Sequence, residues 1–171
     1  MYRIQNLIES LSERRSYVAW FKTRKGIWSL VGLLFLFFII WNSLYGFYQG
    51  VGKSMEPALM EGEVYLVKKN PETIKRGDMI IFRVPGIEQV HTKRVVAFGN
   101  ESVEIKDGQL YINGHMLVEP YLASMNRSDN QEPVIVPAEH FYVLGDNRSI
   151  SYDSRQFGAI KKDDIIGVVI K

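Results

Sequence analysis

No charged residue occurs between Gly26 and Gly52. That run constrains the chain more than any other feature. Roughly 20 apolar residues in a helix span the hydrocarbon core of a bilayer, and Ile27 to Tyr48 supplies that length. Trp28 at one end, with Trp41, Tyr45 and Tyr48 at the other, fits the aromatic belts of the two membrane interfaces. A cleaved signal peptide is the rival reading, but its apolar core is about 7–15 residues long and leads to a small-x-small cleavage site. This run is longer and ends in bulky aromatics. Gly50-Val51-Gly52 has the small-x-small form, yet a cut there would detach the anchor. The run therefore predicts a retained single-pass anchor over residues 27–48, between a leader (1–26) and a body (49–171).

Charge sets the expected orientation. The leader holds six Lys/Arg against Glu9 and Glu13, and the body fifteen Lys/Arg against seventeen Asp/Glu. Basic residues flanking an anchor stay in the cytoplasm, so the N-terminus is expected there and the body outside. A mildly acidic body also argues against nucleic acid, which selects a basic face on the folded domain. Ile4, Leu7, Ile8 and Leu11 have helical spacing and suit a short amphipathic helix on the membrane face as well as a loosely ordered leader. The absence of cysteine excludes disulfides, thiolate zinc sites and a cysteine nucleophile.

The body reads as mainly β. Val64–Val67, Ile80–Phe82, Gln89–Phe98, Phe141–Leu144 and Ile165–Ile170 are apolar or alternating runs of strand length. Val103–Ile105 and Leu110–Ile112 flank Asp107-Gly108, a strong hairpin signal, and Asn113-Gly114 turns the chain again. Ser124 to Pro133 is polar and reads as a loop. No stretch of the body keeps helical periodicity over three turns.

Gly52-Lys53-Ser54 invites comparison with a phosphate-binding loop, but position 47, where that motif needs glycine, is Phe47. Nucleotide is therefore not expected. Ser54 is a candidate nucleophile. A serine hydroxyl attacks poorly until a base takes its proton, and exposed N–H groups in such a turn can stabilise an oxyanion. Two bases are available on the strand Gln89–Phe98. Alternation puts His91 and Lys93 on one face, with Thr92 and Arg94 on the other. A histidine needs little tuning to act near neutral pH, whereas a lysine needs its pKa lowered by about 2–3 units through burial. The residues alone leave both open. The segment Gly145–Arg155 (GDNRSISYDSR) is denser in polar groups than a plain turn requires; Asp153 and Arg155 can pair, and Ser151 can hydrogen-bond a buried amine.

Taken together, these segments resemble the bacterial type I signal peptidase family, from about residue 30 to the C-terminus. Ser54-Met55-Glu56-Pro57 is similar to its nucleophile box, Arg76–Phe82 to its second box and Lys93–Val96 to the box carrying the base. Gly145–Arg155 matches the pattern GDNRxxSxDSR at every fixed position, a far more specific match than the first. The resemblance implies a compact antiparallel β catalytic domain behind one transmembrane helix in the cell membrane. It implies a serine–lysine dyad with neither metal nor organic cofactor, and secretory preproteins and the lipid bilayer as partners. Residue by residue, it implies Ser54 as nucleophile and Lys93 as general base. Ser151 would orient the amine, with Asp153 and Arg155 holding that segment. The Ser54 N–H would form one arm of an oxyanion hole. Gly52 stands where some members place a serine for the second arm. Met55 and the run Gln89, Val90 and His91 would contact substrate. Departures fall at Ala58, Thr92 and Ala97-Phe98-Gly99-Asn100, and bear on pocket shape rather than on the dyad. An organellar peptidase of the same family, a self-cleaving repressor-type peptidase and a non-enzymatic membrane assembly factor are the alternatives.

Overall fold

The computed structural model describes residues 24–122 and 130–170; the expectations for residues 1–23 and 123–129 lie outside them. The chain divides into two compact units between Ser43 and Leu44.

The first unit carries helix α1, Arg24–Leu44, of 21 residues. At 1.5 Å per residue it is about 30 Å long, long and apolar enough to cross a membrane. It begins earlier and stops earlier than the expected 27–48. Tyr45–Gln49 instead forms strand β1, paired antiparallel with β2 (Val64–Lys69) from Tyr45↔Lys68 to Gln49↔Val64. Tyr45 and Tyr48 thus belong to a sheet and not to the end of the helix. Composition cannot see this boundary, because the charge-free run continues through it. Backbone pairing with a strand some twenty residues further on decides it.

The second unit is antiparallel β, as its sequence predicts. Its larger sheet has seven strands in the order β1-β2-β11-β3-β4-β9-β10. The remaining members are β3 (Met79–Arg83), β4 (Val90–Phe98), β9 (His140–Leu144), β10 (Ile160–Lys161) and β11 (Ile165–Ile170). The smaller sheet has the order β7-β6-β5-β8, with β5 Ser102–Lys106, β6 Gln109–Ile112, β7 His115–Met116 and β8 Gln131–Ile135. Its hairpins turn at Asp107-Gly108 (φ 52° and 75°) and Asn113-Gly114 (φ 52° and 78°). Two consecutive positive φ values are what a two-residue turn needs to match strand twist. β8 corrects the expected loop to Pro133. It pairs with β5 despite its polar sequence, and as an edge strand it tolerates proline, which has no N–H to donate. Among the described residues, helix in this unit is limited to the single turn α2, Ser154–Phe157, and a 3-10 turn at Lys162–Asp164.

Strand β4 positions the site. It pairs with β3 from Arg83↔Val90 to Met79↔Arg94, but with β9 only from Arg94↔Leu144 onward. Among the described residues, Val90–Lys93 therefore has a strand on one side only. Register puts His91 and Lys93 opposite Phe82 and Ile80, and Thr92 and Arg94 opposite Ile81 and Met79. Ile81 and Met79 belong to one core cluster and Phe82 and Ile80 to another, so the two faces of β4 look onto different parts of the core. Burial grows from exposed Val90 to buried Lys93 and Arg94.

Candidate active site

Ser54 sits in the turn that follows β1. Gly52 there has φ 80°, a left-handed conformation that glycine adopts without steric penalty. The turn closes through Glu56 N donating to Lys53 O (3.2 Å) and Leu59 N to Met55 O (3.0 Å). Met55 and Leu59, each 4% exposed, plug into the core against Tyr65, Val67, Met79 and Ile81. Burial of two such side chains is worth about 1.5–3 kcal/mol each and fixes the short segment that carries the hydroxyl.

Lys93 reaches that hydroxyl from β4, its Nζ lying 2.6 Å from Ser54 Oγ. The lysine is 4% exposed. Burial lowers its pKa to about 8, against the opposing pull of Asp153, and Arg155 lowers it further. An amine so placed is substantially neutral in mildly alkaline solution and can accept a proton. His91 is placed differently. Its ring lies against Phe82 and Phe157, with centroids 6.0 and 6.1 Å away, and its buried Nε2 has no hydrogen-bond partner. Burial, then the charge of Lys93, lowers its pKa.

The Gly145–Arg155 segment packs behind the pair. Asp153 is fully buried. It accepts from Gly145 N (3.0 Å), and from Arg155 through Nε (2.8 Å) and Nη2 (2.9 Å). It also caps α2 in a capping box with Gln156, which satisfies N–H groups at the start of the helix. Arg155 Nη2 further binds Arg148 O (2.8 Å) and Ser151 O (3.1 Å). Asn147 N donates to Ser54 O at 3.0 Å, so this segment grips the nucleophile by its backbone. Gly145 makes the approach possible. A Cβ there would stand 2.2 Å from Ser151 Oγ and 2.6 Å from Ser54 O. Ser151 is buried, but its Oγ makes no hydrogen bond, so the expected contact with the Lys93 amine is absent.

A cleft of about 460 Å³ opens over these groups. Ser54, Lys93, Gly52, Met55, Gln89, Val90 and His91 all line it; Ser151, Asp153 and Arg155 do not. Three features escaped the sequence reading. Arg94 forks onto Asp146 at 2.8 and 2.5 Å. Glu119 bridges Arg148 and the Tyr121 hydroxyl. Tyr65 on the cleft floor hydrogen-bonds Thr92. Each couples residues far apart in the chain, and a charged or polar residue beside a box was the only available signal.

The model of the family described as "Signal peptidase, peptidase S26" matches residues 23–170. Signal peptidase I V of Bacillus subtilis (strain 168) is 34% identical over 164 residues, covering 85% of this chain and 97% of that protein. Signal peptidase I P of B. subtilis subsp. natto is 35% identical over 152 residues, 81% of this chain and 82% of that protein. The crystal structure of a signal peptidase I from Enterococcus faecalis V583 superposes with a TM-score of 0.53 at 34% identity, covering 58% of this chain and 98% of that one.

Proposed function

The chain belongs to the signal peptidase family, peptidase S26, and from that premise we propose that it is a membrane-bound serine endopeptidase that removes signal peptides from exported preproteins. α1 anchors it once in the cell membrane, with the basic leader in the cytoplasm and the body outside, following the positive-inside rule.

The substrate lies extended along Val90–Lys93, the stretch of β4 with one unpaired edge, and adds a strand there. Small side chains, as in Ala-x-Ala, occupy shallow pockets in the cleft. Neutral Lys93 takes the proton from Ser54 Oγ, the oxygen attacks the carbonyl, and the Ser54 N–H stabilises the oxyanion. The protonated amine then gives its proton to the leaving nitrogen. The mature protein departs, and water activated by the same amine hydrolyses the ester. Sharing a membrane with its substrate raises the effective concentration of each for the other. The observation that carries this reading is the 2.6 Å separation of the Lys93 amine and the Ser54 hydroxyl in a buried setting. The ring of His91 is held against phenylalanines instead.

The test is processing of an Ala-x-Ala preprotein by the full chain in detergent, with Ser54→Ala, Lys93→Ala and His91→Ala variants. The first two are expected to lose roughly 10³-fold or more in kcat/KM; the third retains dyad chemistry. Equal yields of mature product from wild type and Ser54→Ala would remove the enzyme reading. A dead His91→Ala beside an active Lys93→Ala would replace the lysine with the histidine.

A further inference from the structure

We propose that Tyr65 and Thr92 form a hydroxyl-reading subsite in the cleft floor, which favours preproteins carrying threonine or serine at the third position before the cut. The inference rests on the peptidase reading and deepens it.

The buried hydrophobic side chains that line the cleft beside this pair are Met55, Leu59 and Ile81. Tyr65 belongs to β2 and Thr92 to β4, with β11 and β3 between them in the sheet. Three strand spacings would put β2 and β4 about 14 Å apart in a flat sheet. The 2.8 Å bond between the Tyr65 hydroxyl and Thr92 Oγ1 therefore requires the sheet to curl, which brings the two side chains together at the cleft. The pair carries two O–H hydrogens and its mutual bond uses one. Among the described residues neither hydroxyl makes another hydrogen bond. One donor and spare lone pairs thus remain beside the buried apolar side chains of Met55, Leu59 and Ile81. Burial holds the Tyr65 pKa above its usual value, so the phenol keeps its proton throughout the working range of the enzyme.

The position follows from strand geometry. Thr92 faces the same side as Ile81, opposite in register, while Lys93 faces the other. In an extended substrate alternate side chains share a face, so the first and third residues before the cut look down at the floor together. The first lies beside Ser54, over Met55. The third lies about 7 Å further along, over the Tyr65–Thr92 pair. A substrate hydroxyl there can accept the spare hydrogen and donate in return, while the tyrosine ring limits the depth available to longer chains.

Threonine and valine have nearly the same shape, so a Thr-x-Ala and a Val-x-Ala preprotein in competition isolate the hydroxyl. The full chain in detergent is expected to prefer threonine at the third position by about threefold to tenfold in kcat/KM, the range for one hydrogen bond. The double variant Thr92→Val, Tyr65→Phe removes both hydroxyls with little change of shape and should bring the ratio close to one, whereas either single change frees the remaining O–H and should keep part of the preference. A ratio cancels any general loss of activity. An unchanged ratio in the double variant overturns the proposal, and so does a change seen only when threonine and valine are exchanged at the first position. If wild type cuts neither substrate and matches Ser54→Ala, the peptidase reading itself has failed and this inference falls with it.

Discussion

Lys93 and Arg94 are neighbours on one strand, both cationic and both nearly buried, at 4% and 9% exposure, yet their surroundings are opposites. Arg94 has a carboxylate in a two-pronged bond, the Gly77 carbonyl at 2.6 Å and the Tyr121 ring beneath it at 4.0 Å. Burial works against its charge, but Asp146 outweighs burial and its pKa rises. Lys93 is buried with a hydroxyl at hydrogen-bond distance and its nearest influences divided in sign. Burial wins there, and the pKa falls. The same strand thus builds a permanent cation and a proton acceptor one residue apart. The difference lies in which face each side chain takes and what the rest of the chain delivers to that face. A buried charge with a fitted partner stabilises one arrangement against loss of that partner; a buried amine without one becomes a base.

The strongest way to break this comparison is to make Lys93 resemble its neighbour. Lys93→Arg keeps the charge and most of the length, but a guanidinium does not give up its proton in water-accessible pH. Activity on an Ala-x-Ala preprotein should fall by about 10³–10⁴-fold and should not recover at alkaline pH. Recovery above neutral pH, in single-turnover assays, would mean that proton acceptance at position 93 is not the function of that side chain.

The converse experiment acts on Arg94. Asp146→Ala leaves a buried guanidinium without its carboxylate, and stability should drop by about 3 kcal/mol or somewhat more, read by chemical denaturation in detergent. The double variant Arg94→Met, Asp146→Ala should recover much of that loss, because the penalty comes from the stranded charge. If Asp146→Ala is nearly neutral, Arg94 draws its support from Tyr121 and Gly77 and the contrast with Lys93 weakens.

These same two neighbourhoods divide what the sequence made legible from what it concealed. Asp107-Gly108 and Asn113-Gly114 announced their hairpins because turn conformation is set by two adjacent residues. Ser54, Lys93 and the Gly145–Arg155 segment were visible as short patterns, and the apolar run announced its helix. The end of that helix was hidden, since Tyr45–Gln49 is strand only by virtue of Val64–Lys69. β8 was hidden as well, because pairing with β5 overrides a polar, proline-containing sequence. Within the site, the Arg94–Asp146 pair spans 52 positions and the Tyr65–Thr92 bond 27. Alternation told which face each strand residue would take, but not which distant residue would meet it there. The burial that distinguishes the two cations is likewise a property of the assembled sheet, absent from any local stretch.

The smallest expected effect is the most direct readout of that burial. The folded-state pKa of Lys93, about 8, lies below its ordinary value of 10.5. Between those two values the unfolded chain holds the proton and the folded one has released it. The unfolded state then binds more protons, so stability rises with pH across that window and the rise ends above the unfolded value. Below about pH 8 both states are protonated and the full penalty of a charged, buried amine is borne by the fold. From about pH 7.5 to 9.5 the gain from this one group should be about 1–2 kcal/mol. Other groups titrate in the same range, so the quantity to measure is the difference in slope between wild type and Lys93→Met, which carries no amine. Kcat/KM of wild type should rise over the same interval as the pair becomes reactive, with its acid limb near the same value. Parallel stability slopes in the two proteins would mean that the amine is solvated in the folded state, and that Lys93 differs from Arg94 in its partners but not in its proton.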